Sequence, residues 1–175
     1  INALNYTRAH AIPTLGLCMG MQCMILEIAR NVLGMQGANS TEFEVDTPYP
    51  IIDLMPEQKN IENMGGTMRL GAYPCKIKRG SRCAAIYGAE LISERHRHRF
   101  EVNNLYRDQL TKAGLIPSGI WPIGDLVEMV ELEGHPFYIG TQFHPEFKSR
   151  PNRPHPLFRE FVKEASEYRV RMGRE

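Results

Sequence analysis

A cysteine between two glycines, Cys18 flanked by Gly16 and Gly20, constrains the fold of this 175-residue chain more than any other feature. Residues 12–17 before it are mostly apolar, as in a buried strand of a parallel sheet. Apolar residues recur at helical spacing over residues 21–32, and a glycine follows as a typical helix stop. Strand, glycine-flanked turn and helix together form a nucleophile elbow, here with cysteine in place of serine. The pattern therefore predicts an α/β sheet domain with Cys18 on the turn.

The position of Cys18 before a helix gives it a chemical interpretation. N–H groups at a helix N-terminus favour a thiolate, and the same groups can hold an oxyanion. The alternative is a buried structural cysteine, which is the usual fate of a free thiol. Cys23, Cys75 and Cys83 lack the glycine-flanked setting and are interpreted as structural.

A second motif, His144-Pro145-Glu146, follows the apolar residues 137–143. His144 would emerge at a strand end, where α/β sheets carry their ligands. Glu146 can accept a hydrogen bond from the imidazole and set its tautomer. A lone histidine in this place is more often packed or solvated, but with Cys18 the motif supplies the nucleophile, base and orienting group of an acyl-transfer site.

The bulk composition excludes several classes of protein. Hydrophobic residues make up 42% and charged residues 23%, as in an ordinary globular domain, and residues 1–175 are interpreted as one domain. A net charge of +1 argues against nucleic acid or a membrane surface as a partner. The four cysteines form no C-x-x-C pair, so neither a disulfide scaffold nor a zinc site is expected. We expect a reduced, cytoplasmic setting and no metal.

Two polar segments leave alternatives open. Residues 94–100 alternate arginines with histidines, which predicts a surface strand over residues 95–102. Its arginines could form a solvated face, a polyanion patch or a grip on one substrate carboxylate, and the pattern favours the solvated face. Residues 56–71 are polar and rich in glycine, which indicates a mobile surface segment that could cradle a phosphate.

The remaining elements follow from periodicity and turn signals. Strands are predicted at residues 51–55, 72–78, 126–132 and 136–143, and helices at residues 105–113 and 156–172. The chain begins with isoleucine, and residues 1–10 have the character of a helix already under way. We therefore expect a fragment whose N-terminal part is missing.

Several motifs taken together resemble a known family. The elbow and the His-Pro-Glu motif are shared by class I glutamine amidotransferases. The Ser-Thr-Glu of residues 40–42, the Gly-Gly-Thr-Met-Arg-Leu-Gly of residues 65–71 and the arginine-histidine run are more specific, and resemble the glutaminase domain of CTP synthases. The resemblance covers nearly the whole chain. It implies an α/β fold with a central, mostly parallel sheet flanked by helices.

The resemblance implies a role for each matching residue. Cys18 would attack the side-chain amide of L-glutamine, His144 would move protons, and Glu146 would orient His144. Substrate binding would fall to five residues: the Met19 backbone as an oxyanion donor, Gln22 lining the site, Glu42 on the α-amino group, Arg99 on the α-carboxylate, and Phe100, which replaces a tyrosine seen in some members. The family's second oxyanion donor would lie upstream of Ile1.

The resemblance also implies partners outside this chain. A covalently linked synthetase domain would use ATP and Mg to aminate UTP, and the complete enzyme would be a homo-oligomer through that domain. No cofactor is expected in the glutaminase domain itself, while GTP would activate it through a lid containing Thr67 and Arg69. The rival interpretations are another class I amidotransferase, a γ-glutamyl hydrolase, or a non-catalytic nucleotide-binding module.

Overall fold

The computed structural model describes residues 1–54 and 68–173. Its helices are α1 (Asn2–Ala9), α2 (Met19–Asn31), α3 (Arg82–Tyr87), α4 (Arg107–Lys112) and α5 (Pro156–Arg171). Its strands are β1 (Thr14–Leu17), β2 (Asn39–Ser40), β3 (Pro50–Asp53), β4 (Arg69–Ile77), β5 (Leu91–His98), β6 (Glu101–Val102), β7 (Leu115–Trp121), β8 (Leu126–Leu132) and β9 (Tyr138–Thr141).

A six-stranded sheet in the order β1-β9-β8-β7-β4-β5 forms the centre of the fold, and a smaller sheet has the order β2-β3-β6. The predicted α/β architecture with flanking helices is confirmed. In the described part of the large sheet, β1 and β9 are parallel and the other neighbours are antiparallel. The sheet is therefore mixed rather than mostly parallel. The links between β7, β8 and β9 are too short for the crossover that a parallel pair requires.

Two apolar clusters cover the two faces of the large sheet. Met21, Ile25 and Ile28 of α2 pack with Val127 and Val130 of β8. Met129, from the same strand, packs on the opposite side with groups that include Leu157 of α5. The adjacent residues Met129 and Val130 point to opposite faces, so β8 joins both clusters and lies between two helical layers. Val127 shares the face of Val130 because the pairing of β7 with β8 shifts register between Met129 and Val127. Burying each large apolar side chain contributes about 1.5–3 kcal/mol before entropic costs.

The parallel pair β1–β9 sets the position of both predicted catalytic segments. Gly16 pairs with Gly140, and Leu17 pairs with Thr141. Cys18 follows directly after β1, and His144 follows shortly after β9. Both segments therefore leave the same edge of the sheet, at the carboxyl ends of its parallel strands.

One local prediction differs from the structure, and two elements were not predicted. Residues 69–71, expected in a mobile segment, begin β4 and pair with residues 96–98 of β5. Strand β7 was missed because Pro117 interrupts its pattern, and the register shifts beside this residue. Helix α3 was not predicted because it has only six residues. Its Ser81 N-cap accepts a hydrogen bond from the Ala84 N–H, as capping serines do.

Membrane insertion through a helix finds no support in the described residues. None of their helices combines the length and apolar character needed to cross a bilayer.

Candidate active site

Cys18 occupies a sharp turn between β1 and α2. Its backbone has φ 51° and ψ −106°, a conformation that residues other than glycine rarely adopt. The Cys18 N–H donates to the carbonyl of Thr141 at 2.6 Å, which anchors the turn to the end of β9. Strain held in this way by surrounding structure is typical of functional positions. The positive φ belongs to the cysteine itself and to neither of its flanking glycines.

Gly16 and Gly20 differ in the space available for a side chain. A Cβ on Gly16 would lie 2.8 Å from the carbonyl carbon of Gly20 and would also collide with the sulfur of Met24. A Cβ on Gly20 would meet nothing within 4 Å. Only Gly16 is therefore needed for the close approach of β1 to the first turn of α2.

We expect Gly16→Ala to destabilise the fold, and Gly20→Ala, at a helical position with room for a methyl group, to leave stability unchanged or raise it by up to about 1 kcal/mol. The added methyl at Gly16 forces backbone and side-chain shifts, which typically cost about 1–3 kcal/mol. Urea unfolding followed by circular dichroism measures both variants against the wild type. Equal stability of the Gly16 and Gly20 variants would contradict the close packing at this turn.

His144 and Glu146 form a hydrogen-bonded pair after β9. Imidazole Nδ1 lies 2.6 Å from Glu146 Oε1, and the ring stacks on Phe147. The His144 backbone N–H donates to the Arg95 carbonyl at 2.8 Å and ties the segment to β5. Because a carboxylate only accepts, neutral His144 carries its proton on Nδ1. Its Nε2 lone pair has no hydrogen-bond partner in the described part of the chain, as a general base requires.

The Cys18 sulfur has a mixed electrostatic environment. Burial raises the pKa of the thiol, and the Glu146 carboxylate raises it further. The Met19 N–H and the Gln142 side chain act in the opposite direction and lower it, with Gln142 Nε2 lying 3.6 Å from Sγ. The helix N-terminus alone favours a thiolate, but burial outweighs it. Activation by a base is therefore the chemistry that this environment favours, and His144 is the candidate because its segment leaves the same edge of the sheet as Cys18.

A cavity of about 220 Å³ opens beside Cys18. It brings together every predicted substrate-binding residue. Its lining consists of Cys18, Met19, Gln22, Glu42, Met68, Arg97, His98, Arg99 and Phe100. A neighbouring cavity of about 670 Å³ shares Glu42, Arg99 and Phe100 with it. The lining thus combines a thiol with a carboxylate and a guanidinium, while His144 and Glu146 are not among the lining residues.

Local contacts explain why Glu42 lies in this cavity. The loop after β2 turns back at Ser40, whose hydroxyl accepts the Glu42 N–H at 3.2 Å. Thr41 donates to Asp53 Oδ1 at 2.7 Å and fixes the same loop to β3. The Glu42 carboxylate itself is exposed and faces the cavity shared with Arg99.

Arg69 is not the exposed lid residue that its sequence context predicts. It is buried in β4, where NH1 lies 3.0 Å from Glu101 Oε1 and NH2 lies 2.8 Å from Glu128 Oε1. Its guanidinium also stacks on the rings of Tyr73 and Trp121. Pairing of β4 with β5 turns the Arg69 side chain inward. Its guanidinium is therefore surrounded by two carboxylates and two aromatic rings and is not available to a ligand at the surface. The other predicted lid residue, Thr67, lies outside the described residues.

Sequence reasoning missed Arg97 and His98 as lining residues. The alternation in β5 itself is present, with Arg95 and Arg97 exposed and His96 and His98 buried. Buried histidines beside an exposed arginine face are the signal that could have identified an inner polar cluster.

The other cysteines do not share the setting of Cys18. Cys75 and Cys83 are fully buried, and burial raises the pKa of both thiols. Cys23 is half-buried within α2. Within residues 1–54 and 68–173, no three His, Cys, Asp or Glu side chains are arranged to hold a metal ion.

Comparison with known proteins places this site in a family. The class-I glutamine amidotransferase family model matches residues 1–164. The chain is 60% identical over 170 residues to CTP synthase of Symbiobacterium thermophilum, covering 97% of the chain and 31% of the relative. It is 61% identical over 163 residues to CTP synthase of Caldanaerobacter subterraneus, covering 93% and 30%. The chain thus spans less than a third of the length of these relatives.

Solved structures give a matching picture. The CTPS glutaminase domain of Trypanosoma brucei with bound acivicin superposes with a TM-score of 0.89 at 37% identity, covering 94% of this chain and 64% of that one. A putative GMP synthase protein of Thermoplasma acidophilum, at 18% identity and a TM-score of 0.58, shares the fold. Because the family model covers nearly the whole sequence, the chain belongs to the class-I glutamine amidotransferase family.

Proposed function

We propose that this chain is the glutaminase part of a CTP synthase, and that it hydrolyses L-glutamine through a thioester on Cys18. The observation that carries the proposal is the cavity that joins the Cys18 elbow to Glu42 and Arg99. Identity of about 60% to CTP synthases supports the same conclusion.

The chemistry requires two proton transfers through one imidazole. His144 Nε2 takes the Cys18 thiol proton as the sulfur attacks the side-chain carbonyl carbon of glutamine. The C–N bond then breaks, and the same proton leaves with ammonia. His144 next removes a proton from water, which attacks the thioester and releases glutamate and the Cys18 thiol. Glu146 stabilises the transient imidazolium, and the Met19 N–H stabilises the oxyanion.

Recognition of free glutamine requires two opposite charges at the far end of the site. Arg99 suits the α-carboxylate because a planar guanidinium binds carboxylates through two parallel hydrogen bonds. Glu42 suits the α-ammonium group, and Gln22 and Phe100 complete the wall. A substrate that carries an ammonium and a carboxylate group on one carbon atom then has a single productive orientation.

The proposal extends to the complete enzyme. Ammonia would pass to a covalently linked synthetase domain that binds ATP, Mg and UTP, in a cytoplasmic homo-oligomer that assembles through that domain. Activation by GTP through a lid that contains Thr67 stays a prediction. A GTP contact by Arg69 would require this buried side chain to leave its two carboxylate partners.

We expect a glutamine analogue carrying a leaving group to alkylate Cys18 ahead of Cys23, Cys75 and Cys83. Acivicin is the first choice of probe, since the T. brucei domain binds it. Cys18 lines the cavity that also holds Glu42 and Arg99, and the other three thiols do not line it. Intact mass and peptide mapping of the complete protein measure the labelling.

An Arg99→Leu variant is the matched control for this labelling. Loss of a charge-assisted hydrogen bond costs roughly 1.5–3 kcal/mol, so acivicin labelling should slow by about 10-fold or more. Labelling by iodoacetamide, which has no α-carboxylate, should be unchanged. Equal acivicin labelling of all four thiols would instead support a non-catalytic binding module.

A further inference from the structure

A cluster of five buried ionisable side chains lies behind the Cys18 cavity. Its members come from four strands, and none is more than 6% exposed: Arg69, His96, His98, Glu101 and Glu128. The proposed hydrolysis uses none of them, although His98 lines the cavity. Buried charges are costly unless they are paired, so the protons in this cluster must be placed consistently with every contact.

The contacts fix the tautomers of both histidines. His98 Nδ1 lies 3.2 Å from the Phe100 carbonyl oxygen, which can only accept, so His98 Nδ1 carries a proton. Neutral His98 then has a bare Nε2. His96 Nδ1 lies 2.9 Å from this nitrogen and must therefore donate to it. Neutral His96 is left with a bare Nε2, which lies 3.3 Å from Glu128 Oε2.

Two facing acceptors at this distance repel unless a proton lies between them. A proton on Glu101 would not relieve this repulsion, because Glu101 Oε1 contacts Arg69 NH1 at 3.0 Å and His98 Nδ1 at 3.4 Å, and Glu101 Oε2 has no hydrogen-bond partner in the described residues. Both carboxylates contact Arg69, with Glu128 Oε1 2.8 Å from NH2, but only Glu128 also faces His96 Nε2. A proton on Glu128 Oε2 would give His96 Nε2 a donor, since neither of these two buried atoms has a hydrogen-bond partner among the described residues. With Glu101 ionised against Arg69, the cluster would then carry no net charge.

The cluster connects to the nucleophile through two amides. The Phe100 carbonyl that accepts from His98 also accepts from Gln22 Nε2 at 3.2 Å. The same Gln22 amide donates to Gln142 Oε1 at 3.2 Å, and Gln142 Nε2 points at the Cys18 sulfur at 3.6 Å. The Gln142 backbone N–H also donates to the Glu128 carbonyl at 2.8 Å.

We propose that Glu128 is a positioning residue, held as a neutral acid, whose proton fixes the His96 and His98 tautomers and thereby orients Gln142 against Cys18. Loss of this proton would place a carboxylate against a bare imidazole nitrogen and disturb the chain that ends at the sulfur. Glu128 contacts Arg69 of β4 and His96 of β5, and it interacts electrostatically with Cys75 of β4 and Glu101 of β6. Burial raises the pKa of Glu128 to about 7, although Arg69 opposes this rise.

Two matched amide substitutions in the complete enzyme test the proposal through glutamine hydrolysis. Glu128→Gln retains an N–H donor for His96 without a titratable proton. We expect its kcat to stay within about twofold of wild type at pH 7. The wild-type kcat should decline on the alkaline side, and this decline should be absent in the variant. Glu101→Gln removes an anion that Arg69 requires, and we expect its kcat to fall at least 10-fold. An unchanged alkaline decline in Glu128→Gln, or the reverse order of the two variants, would overturn the proposal.

The kinetic test of this inference rests on the proposed function. A measurement on the wild-type protein tests the proton placement without it. Nitrogen-15 NMR of the imidazoles should show neutral His96 and His98, both protonated on Nδ1, at pH 6. An imidazolium or an Nε2–H tautomer at His96 would overturn the placement of the proton, whatever the enzyme catalyses. If the tautomers are as expected but no glutamine is hydrolysed, the proposed function is wrong and the assignment of the buried proton to Glu128 is retained.

Discussion

Replacing Cys18 with alanine is expected to reduce glutamine hydrolysis by at least roughly 10³-fold, the scale on which loss of a catalytic nucleophile acts. Neither Cys23, which is half-buried in α2, nor a buried thiol can take over, since none of them lines the Cys18 cavity. In the complete enzyme, CTP formation from free ammonia should continue, because that route bypasses the thioester. Assays with glutamine and with ammonia as nitrogen donors measure the two routes separately.

Cys23→Ala is the control for this experiment. It removes a thiol from the same helix and should leave both routes intact. Equal loss of the two routes in Cys18→Ala would indicate that the elbow supports the fold rather than the chemistry. Equal activity with glutamine in Cys18→Ala and wild type would contradict the proposed nucleophile.

Replacing Arg69 with methionine is expected to destabilise the fold by about 3–5 kcal/mol at neutral pH, the usual cost of removing one partner of a buried ion pair. Glu101 would remain buried without the cation that now lies 3.0 Å from it. Burial raises the pKa of Glu101 and Arg69 opposes this rise, so loss of Arg69 would raise the pKa further. The folded state then binds a proton that the unfolded state releases above its ordinary carboxyl pKa. The cost is therefore largest at high pH and shrinks as pH falls.

Urea unfolding of Arg69→Met at pH 7.5 and pH 5 measures this difference. The control is Arg79→Met, which breaks an ion pair with Glu90 whose side chains are 82% and 55% exposed. Solvent screens exposed pairs of this kind, so no measurable change is expected. Equal stability of the two variants would show that Arg69 does not stabilise the buried cluster.

Local patterns were sufficient for the parts of the fold that short segments determine. Alternation in β5 predicted a solvated arginine face, and Arg95 and Arg97 are exposed. The bounds of β8 were predicted without error as residues 126–132. The elbow was recognisable because a strand, a turn and a helix lie within a few residues of Cys18. Each of these signals is complete within one segment of the chain, so no knowledge of distant neighbours was needed.

Long-range pairing accounts for what the sequence could not supply. Glycines near Arg69 indicated a mobile surface segment. The environment of Arg69 is instead set by Glu101 and Glu128, which lie far along the chain. Pairing of Arg69 with His98 across β4 and β5 turns the guanidinium inward. No local pattern encodes that register. The shared proton at Glu128 was likewise beyond reach, because it follows from contacts among four strands.

The parallel pairing of β1 with β9 makes the separation of nucleophile and base a discrete quantity. With Leu17 opposite Thr141, both segments start from a fixed point on the hydrogen-bond ladder. A slip of one residue would move one segment by about 3.3 Å and turn its side chains to the opposite face of the sheet. No smaller adjustment of the ladder exists. Gradual tuning of this catalytic geometry, by evolution or by an engineer, is therefore restricted to side chains such as Gln142 and Glu146 that follow the strands.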